Sequence, residues 1–160
     1  YMAQSDALYE MLTGYENLEF FGKMKGVLFD KLKKEIEYIA EVVDLTDDLK
    51  KLVSKYSGGM KRRLSLAIAL IGSPELLILD EPTVGIDPSL RKNIWKELFK
   101  QRDSGVGILV TTHVMDEAEL TDKVGLLLNG DIIDFDTPQQ LKVKNNVNTI
   151  EEVFLKVEEN

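Results

Sequence analysis

The first third of the chain carries apolar residues at helical spacing. One such stripe comprises Leu28, Leu32, Ile36, Ile39, Ala40 and Val43. Because residues three or four apart share one face of a helix, this stripe predicts an amphipathic helix with one buried side. Upstream, Thr13 and Glu16 have the spacing of a capping box, which predicts a helix from about Gly14 to Lys23. The pattern predicts mostly helical structure as far as Ser54.

The middle of the chain has apolar runs of a different kind. Residues 76–79 and 106–112 do not alternate with polar residues, which is typical of strands buried on both faces of a parallel sheet. A helix predicted from about Ser89 to Arg102 separates them, and strand, helix and strand in this order predict a right-handed parallel crossover. Residues 61–71 predict a helix that is covered on most sides. The predicted class is α/β.

A hairpin is predicted near the end of the chain. Asn129-Gly130 favours a type I′ turn, and it lies between the apolar segments 124–128 and 131–135. We expect these segments to form an antiparallel pair at the edge of the sheet. Residues 138–142 and 149–157 predict terminal helices.

Composition narrows the class of protein. The 160 residues fit one domain, and 44% hydrophobic with 30% charged residues is typical of a globular protein. The absence of cysteine excludes disulfides and zinc–thiolate sites in this chain. A net charge of -8 repels nucleic acid, so no nucleic-acid partner is expected. No apolar stretch approaches the roughly 20 residues that cross a bilayer.

Asp80 and Glu81 follow the first apolar run directly. Ligands of open parallel sheets bind at the carboxyl ends of the strands, where these carboxylates are expected to lie. Magnesium prefers oxygen ligands, so Asp80 is a candidate metal ligand and Glu81 a candidate to orient or deprotonate a water molecule. The alternative is a solvated acidic turn ahead of Pro82.

Two further sites are candidates for phosphate binding. Ser57-Gly58-Gly59 precedes a predicted helix, whose free N–H groups attract anions. The alternative is a serine helix cap followed by a tight turn. His113 follows the second apolar run, so we expect it to face the same crevice as Asp80 and to contact a terminal phosphate. The alternative is that His113 caps the helix beginning near Asp116.

Two other features have simple structural interpretations. Asp87 before Pro88 is a natural helix cap. The simplest interpretation of Lys61-Arg62-Arg63 is a solvated helix face. The alternative is a local basic patch that binds nucleic acid, as an exception to the acidic average of the chain.

Taken together, these motifs resemble those of the ATP-binding cassette (ABC) ATPases. The resemblance rests on the order and spacing of Ser57-Gly58-Gly59-Met60, residues 76–82, Gly85-Ile86-Asp87 and His113. It implies a partial P-loop NTPase-like parallel sheet with an ABC α-helical subdomain. Within one such domain, residues of about 5–72 form the helical subdomain and signature helix, 73–136 the second half of the ATPase core, and 137–160 the C-terminal helices.

The resemblance also implies roles and cofactors, namely ATP and Mg²⁺. Gln4 is the Q-loop glutamine, which touches the metal or the attacking water. Ser57, Gly58 and Gly59 form the signature loop, which binds the γ-phosphate of ATP held by the opposite subunit. The resemblance makes Asp80 the Walker B metal ligand and Glu81 the catalytic carboxylate. It assigns Asp87 to the D-loop at the dimer interface and His113 to the switch histidine on the γ-phosphate.

One part of the family pattern is missing. None of the eleven glycines belongs to a Gly-x-x-x-x-Gly-Lys-Ser/Thr phosphate loop, which cradles the β- and γ-phosphates in P-loop enzymes. The family places that loop before Gln4, so we expect a chain truncated before Gln4 that does not hydrolyse ATP alone. Tyr56 and Met60, where Leu and Gln are commoner, resemble the drug-resistance exporter branch.

The resemblance implies that the parent protein is the ATP-hydrolysing subunit of an ABC transporter and that this transporter is an exporter. It is expected to act as a dimer with a second ABC ATPase subunit, bound to transmembrane permease subunits on the cytoplasmic face of the membrane. One alternative is a non-transport ABC ATPase of the translation-associated type. Another is a noncatalytic fragment that acts only as an interaction module.

Overall fold

The computed structural model describes residues 1–2 and 7–158, and the chain divides into two units after Thr111. The first unit contains α1 (Gly14–Met24), α2 (Phe29–Val42), two short 3₁₀ turns (Thr46–Asp48 and Val53–Lys55), α3 (Gly58–Leu70), β1 (Leu76–Asp80), α4 (Pro88–Asp103) and β2 (Gly107–Thr111). The second unit contains α5 (Met115–Ala118), β3 (Val124–Leu128), β4 (Asp131–Asp136), α6 (Pro138–Asn145) and α7 (Ile150–Glu158). Gln4 lies outside the described residues.

The predicted capping box opens α1. The Thr13 hydroxyl accepts the Glu16 N–H at 3.2 Å, and the Thr13 N–H donates to the Glu16 carboxylate at 2.7 Å. These two bonds satisfy backbone groups that a helix start leaves unpaired. The bond from the Thr13 N–H also lowers the pKa of Glu16. The predicted start of α1 is therefore confirmed.

The helices of the first unit share one hydrophobic core. Its fully buried members include Leu18, Leu32, Ile36, Leu64, Leu77, Leu79, Ile94 and Leu98. The predicted stripe is buried from Leu32 to Val43, with Ile36 and Ala40 completely inaccessible, whereas its first residue, Leu28, precedes α2 and is 67% exposed. From Lys61 to Leu70, every residue of α3 is buried or half-buried, so the prediction of a helix covered on most sides is confirmed.

Strands β1 and β2 form a parallel pair in which Asp80 lies opposite Thr111, as the crossover pattern predicted. Leu77 and Leu79 are fully buried, whereas Leu76 is 56% exposed. Successive side chains of a strand point to opposite faces, and only the Leu77 and Leu79 face is packed into the core. The prediction that both faces of these strands are buried is therefore wrong for the described residues.

The second unit is built around the predicted hairpin. Strands β3 and β4 pair antiparallel across Asn129 (φ 53°) and Gly130 (φ 92°), the left-handed conformations that a type I′ turn requires. They form a separate two-stranded sheet, so the prediction that they extend the edge of the parallel sheet is wrong in the described structure. Helices α6 and α7 supply Leu141, Ile150 and Val153 to this unit's core.

Candidate functional site

The acidic pair lies at the carboxyl end of β1, as predicted. The Thr111 hydroxyl on the neighbouring strand donates a hydrogen bond to the Asp80 carboxylate. The Glu81 N–H donates both to the Thr111 carbonyl at 3.0 Å and to its hydroxyl at 3.2 Å. On the other edge of β1, the Asp80 N–H donates to the Met2 carbonyl at 3.0 Å. Hydrogen bonds on both sides therefore hold this turn.

Glu81 has an unusual backbone conformation. Its φ of 49° lies in the left-handed region, where a non-glycine residue costs on the order of 1–3 kcal/mol. The Arg62 guanidinium on α3 donates to the carbonyls of Asp80 and Glu81, the latter at 2.9 Å. The cost of the left-handed turn is thus offset by bonds to its amide and to both of its carbonyls.

The basic run on α3 is not a solvated face. Lys61 pairs with Glu10, Arg62 binds the acidic turn, and Arg63 donates to the Val43 carbonyl at 3.1 Å. All three basic residues are half-buried. The interpretation of this run as solvent-facing is therefore wrong, because its cations bind groups on other elements.

The Ser57-Gly58-Gly59 segment forms the beginning of α3. The Ser57 hydroxyl accepts the Met60 N–H at 3.2 Å, so the predicted serine cap is present. All three residues are exposed, and a Cβ placed on Gly58 or Gly59 would meet no described atom within 4 Å. Packing within this unit therefore does not require these glycines. The open helix start has room for an anion to approach the backbone.

Asp87 caps α4 as predicted. Its carboxylate accepts the N–H groups of Leu90 at 3.0 Å and Ser89 at 3.1 Å, and Pro88 occupies the first turn. The bond from the Leu90 N–H is the main reason why the pKa of Asp87 lies below its ordinary value of 3.8. The ionised form therefore stabilises the start of this helix.

This cap gives a pH-dependent prediction. Because the folded state lowers the pKa of Asp87, its contribution to stability is present above about pH 4 and is lost as the pH falls through the lower folded value. Asparagine caps a helix about as well but does not titrate in this range. We expect Asp87→Asn to unfold like the wild type at pH 7 and to lose less stability towards pH 3. Urea unfolding at both pH values is the measurement, and identical acid dependence would contradict it.

His113 lies in the second unit and is exposed. The cap position of α5 is occupied by Val114, without a side-chain cap bond, so the alternative that places His113 at the cap of this helix is wrong. Instead, the Thr112 hydroxyl accepts the Val114 N–H at 3.0 Å and donates to the buried Glu117 carboxylate at 2.8 Å. That His113 shares a crevice with Asp80 stays a prediction.

The carboxylates at the acidic turn suit a cation that takes only one or two ligands from the protein. In the part of the chain that the structure describes, no three histidine or acidic side chains converge as a metal cage. Mg²⁺ typically binds one or two carboxylates and completes its shell with water and substrate phosphates. Asp80 fits such a role, because Thr111 binds one carboxylate oxygen, Oδ1, and a carboxylate has further lone pairs to offer.

No helix in residues 7–158 is both long and apolar enough to cross a membrane.

Known proteins resemble this chain in sequence. It is 42% identical to the linearmycin resistance ATP-binding protein LnrL of Bacillus subtilis over 86% of this chain and 45% of that protein. It is 44% identical to ABC transporter G family member 20 of Dictyostelium discoideum over 96% of this chain and 21% of that protein. The chain therefore spans less than half the length of these relatives.

Solved structures agree with the fold. One, an ATP-binding subunit of an ABC transporter, superposes with a TM-score of 0.91 at 25% identity, covering 99% of this chain and 67% of that chain. Another is an ATP-binding cassette in a dimeric, post-hydrolysis state bound to ADP and Pi. It matches with a TM-score of 0.77 at 23% identity, over 85% of this chain and 61% of that chain, which supports the fold alone.

The sequence model of the ABC transporter family matches residues 1–84, which contain Ser57-Gly58-Gly59, β1 and the acidic turn. That match covers more than half of the 160 residues. Together with the parallel β1 and β2 pair and the helices before it, it establishes that the chain belongs to the ABC transporter family.

Proposed function

We propose that this chain supplies the acidic turn and the signature loop of an ABC transporter subunit that hydrolyses ATP to drive transport. The observation that carries the proposal is the Asp80-Glu81 turn, held at the carboxyl end of β1 by Thr111 and Arg62. In a turn that only faces solvent, we would not expect a glutamate in the left-handed conformation with hydrogen bonds to α3 and β2 that fix its backbone. Positions at the carboxyl ends of parallel strands are where such sheets bind ligands.

Asp80 and Glu81 have separate tasks in this scheme. Asp80 is the metal ligand, and Glu81 orients and deprotonates the attacking water as a general base. Mg²⁺ supplies charge neutralisation on the phosphates of ATP. Adjacent side chains diverge, so one carboxylate can hold the cation while the other faces the water.

The remaining assigned residues act on phosphate or at the subunit interface. Ser57, Gly58 and Gly59 bind the γ-phosphate of ATP held by a second ATPase subunit, and the exposed start of α3 supports this role. Asp87 belongs to the loop that crosses the dimer interface. His113 contacts the γ-phosphate as the switch residue, and Gln4 contacts the metal or the water.

The proposed partners are a second ABC ATPase subunit and transmembrane permease subunits, with the protein peripheral on the cytoplasmic face of the membrane. The name of LnrL, a resistance protein, supports export as the direction of transport. The isolated chain is proposed to be inactive, because its sequence contains no phosphate loop.

Charge placed at the signature loop tests this proposal. In the full-length protein, we expect Gly58→Asp to lower Mg²⁺-dependent phosphate release from ATP by at least about tenfold, because a carboxylate there repels the γ-phosphate. The side chain has room at this position, and an acidic residue is favourable in the first turn of a helix. The fold is therefore expected to survive the change.

Gly58→Ala is the matched control, since it adds a Cβ without charge. We expect it to retain a clearly larger fraction of the activity than Gly58→Asp, with unfolding of both variants similar to that of the wild type. A full-length protein that releases no phosphate from ATP would refute the proposed activity. Equal activity of Gly58→Asp and Gly58→Ala would remove the phosphate-binding role of this loop.

A further inference from the structure

Two side chains fix the acidic turn without belonging to it. We infer that Thr111 and Arg62 are positioning residues for ATP hydrolysis, with Thr111 aiming the Asp80 carboxylate and Arg62 fixing the backbone that carries Glu81. This inference rests on the proposed ATPase function. It concerns the residues that set the direction of the two carboxylates rather than the carboxylates themselves.

Thr111 uses its hydroxyl in two directions at once. The hydroxyl donates to Asp80 Oδ1 and accepts the Glu81 N–H at 3.2 Å, while the Thr111 carbonyl accepts the same N–H at 3.0 Å. A hydroxyl has one hydrogen to donate, and here it goes to Oδ1. This bond restricts rotation of the carboxylate, so the orientation in which Asp80 offers its remaining lone pairs is set before a cation arrives.

A valine at position 111 would have nearly the same shape but no hydroxyl. The strand pairing that places residue 111 opposite Asp80 uses backbone groups, so it is retained. Thr111 is exposed, and a methyl group there displaces no core residue. Loss of the hydroxyl therefore affects the direction of Asp80 more than it affects the fold.

Arg62 acts on the backbone of the turn. Its guanidinium reaches from α3 to the carbonyls of Asp80 and Glu81, which are residues on another element. Glu81 has a φ of 49°, so its side-chain direction depends on a conformation that a non-glycine residue adopts only under constraint. Arg62 supplies that constraint from the carbonyl side, while Thr111 supplies it from the amide side.

The test is direct cation binding in a background that does not turn over. In the full-length Glu81→Gln protein with ATP, Mn²⁺ binding is measured by electron paramagnetic resonance for Thr111→Val and Thr111→Ser. We expect Thr111→Val to weaken Mn²⁺ binding about fivefold or more, and Thr111→Ser to restore it to within about twofold, because serine keeps the hydroxyl. A loss of folded protein alone would lower the number of sites and leave the affinity unchanged.

The second readout is the steady-state rate of ATP hydrolysis, measured in the full-length protein that keeps the natural Glu81. Thr111→Val is expected to lower kcat about tenfold and to raise the Mg²⁺ concentration for half-maximal rate, with KM for ATP within about twofold. Thr121→Val is the control. It also removes a hydroxyl, one that bonds to the Ala118 and Lys123 carbonyls in the other unit. It should leave the half-maximal Mg²⁺ concentration unchanged.

Arg62 is tested by Arg62→Met and Arg62→Lys. Methionine has no donors and lysine keeps a cation, so we expect kcat to fall for Arg62→Met with partial recovery for Arg62→Lys, and Mn²⁺ affinity to change less than in Thr111→Val. An active protein in which Thr111→Val keeps wild-type kcat and cation affinity would overturn the positioning role. An inactive wild-type protein would overturn the proposed function instead.

Discussion

Replacing Glu81 by glutamine in the full-length protein is expected to lower ATP turnover by about 100-fold or more, because a positioned general base contributes roughly 10²–10⁴ in rate. Glutamine has nearly the same shape and keeps the backbone N–H and carbonyl that bind Thr111 and Arg62. The turn should therefore persist, and only the basic oxygen is lost. ATP binding is expected to stay within a few-fold of the wild type.

Phosphate release and equilibrium binding of a fluorescent ATP analogue measure the two quantities separately. Glu75→Gln is a suitable control, because Glu75 is an exposed glutamate directly before the opposite end of β1. It makes the same chemical change away from the turn, and turnover should remain at the wild-type level. Unchanged turnover in Glu81→Gln would remove Glu81 from the role of base.

Three local signals in the sequence predicted the local structure correctly. The capping box at Thr13 and Glu16, the Asp87 cap before Pro88 and the Asn129-Gly130 turn each bring together residues that are close in sequence. Their hydrogen bonds depend on spacing and on backbone preference, so the residue types are sufficient to identify them.

Burial of the strands could not be predicted in the same way. An apolar run indicates that a strand can be buried on both faces, but it does not indicate which neighbours cover it. Leu76 on β1 and Leu109 on β2 are each 56% exposed. In the parallel register Leu76 lies opposite Gly107 and Leu109 lies opposite Ile78, so both leucines belong to one face of the strand pair, and their exposure is a property of that face.

The supports of the acidic turn were missed for a related reason. Arg62 binds backbone carbonyls, and a carbonyl has no residue type by which a sequence pattern could reveal it. Buried Asn17 is similar, since its amide donates to the carbonyls of Tyr9 and Thr13. Such residues satisfy buried backbone groups, and their partners become known only with the fold.

Lys25 provides a further example at the end of α3. Its ammonium donates to the Ala69 and Ile71 carbonyls at 3.0 and 3.1 Å, and a cation at the carboxyl end of a helix is favourable. Burial lowers the pKa of Lys25, and nearby Glu35 opposes that shift. In the sequence, nothing distinguishes Lys25 from the neighbouring Lys23 as the residue with this role.

Packing between α1 and α2 leads to the largest expected loss of stability. A Cβ on Gly22 would lie 2.4 Å from Leu32 Cδ1 and 3.3 Å from Ile71 Cδ1, so the leucine fills the groove that the glycine leaves. Leu32 is 2% exposed. We expect Leu32→Ala to lower the free energy of unfolding by about 3–5 kcal/mol, because glycine has no side chain that could close the cavity.

The same geometry predicts a reversal of sign. Alone, Gly22→Ala should destabilise the protein, since its methyl group collides with a buried leucine. Combined with Leu32→Ala, it should recover about 1 kcal/mol or more, because alanine partly fills the cavity and favours a helix over glycine. The measurement for each variant is the free energy of unfolding in urea of the full-length protein. Amide hydrogen exchange in peptides from α1 and α2 detects the unfolding of these two helices.

Leu28→Ala is the control for this pair, since Leu28 directly precedes α2 and is 67% exposed. A change there is expected to stay within about 0.5 kcal/mol. If Gly22→Ala destabilised the wild type and the Leu32→Ala variant equally, the two residues would not share a groove. Ile71 directly follows α3, and its Cδ1 lies beside the same space, so the groove between α1 and α2 also adjoins the end of the helix that Ser57 caps.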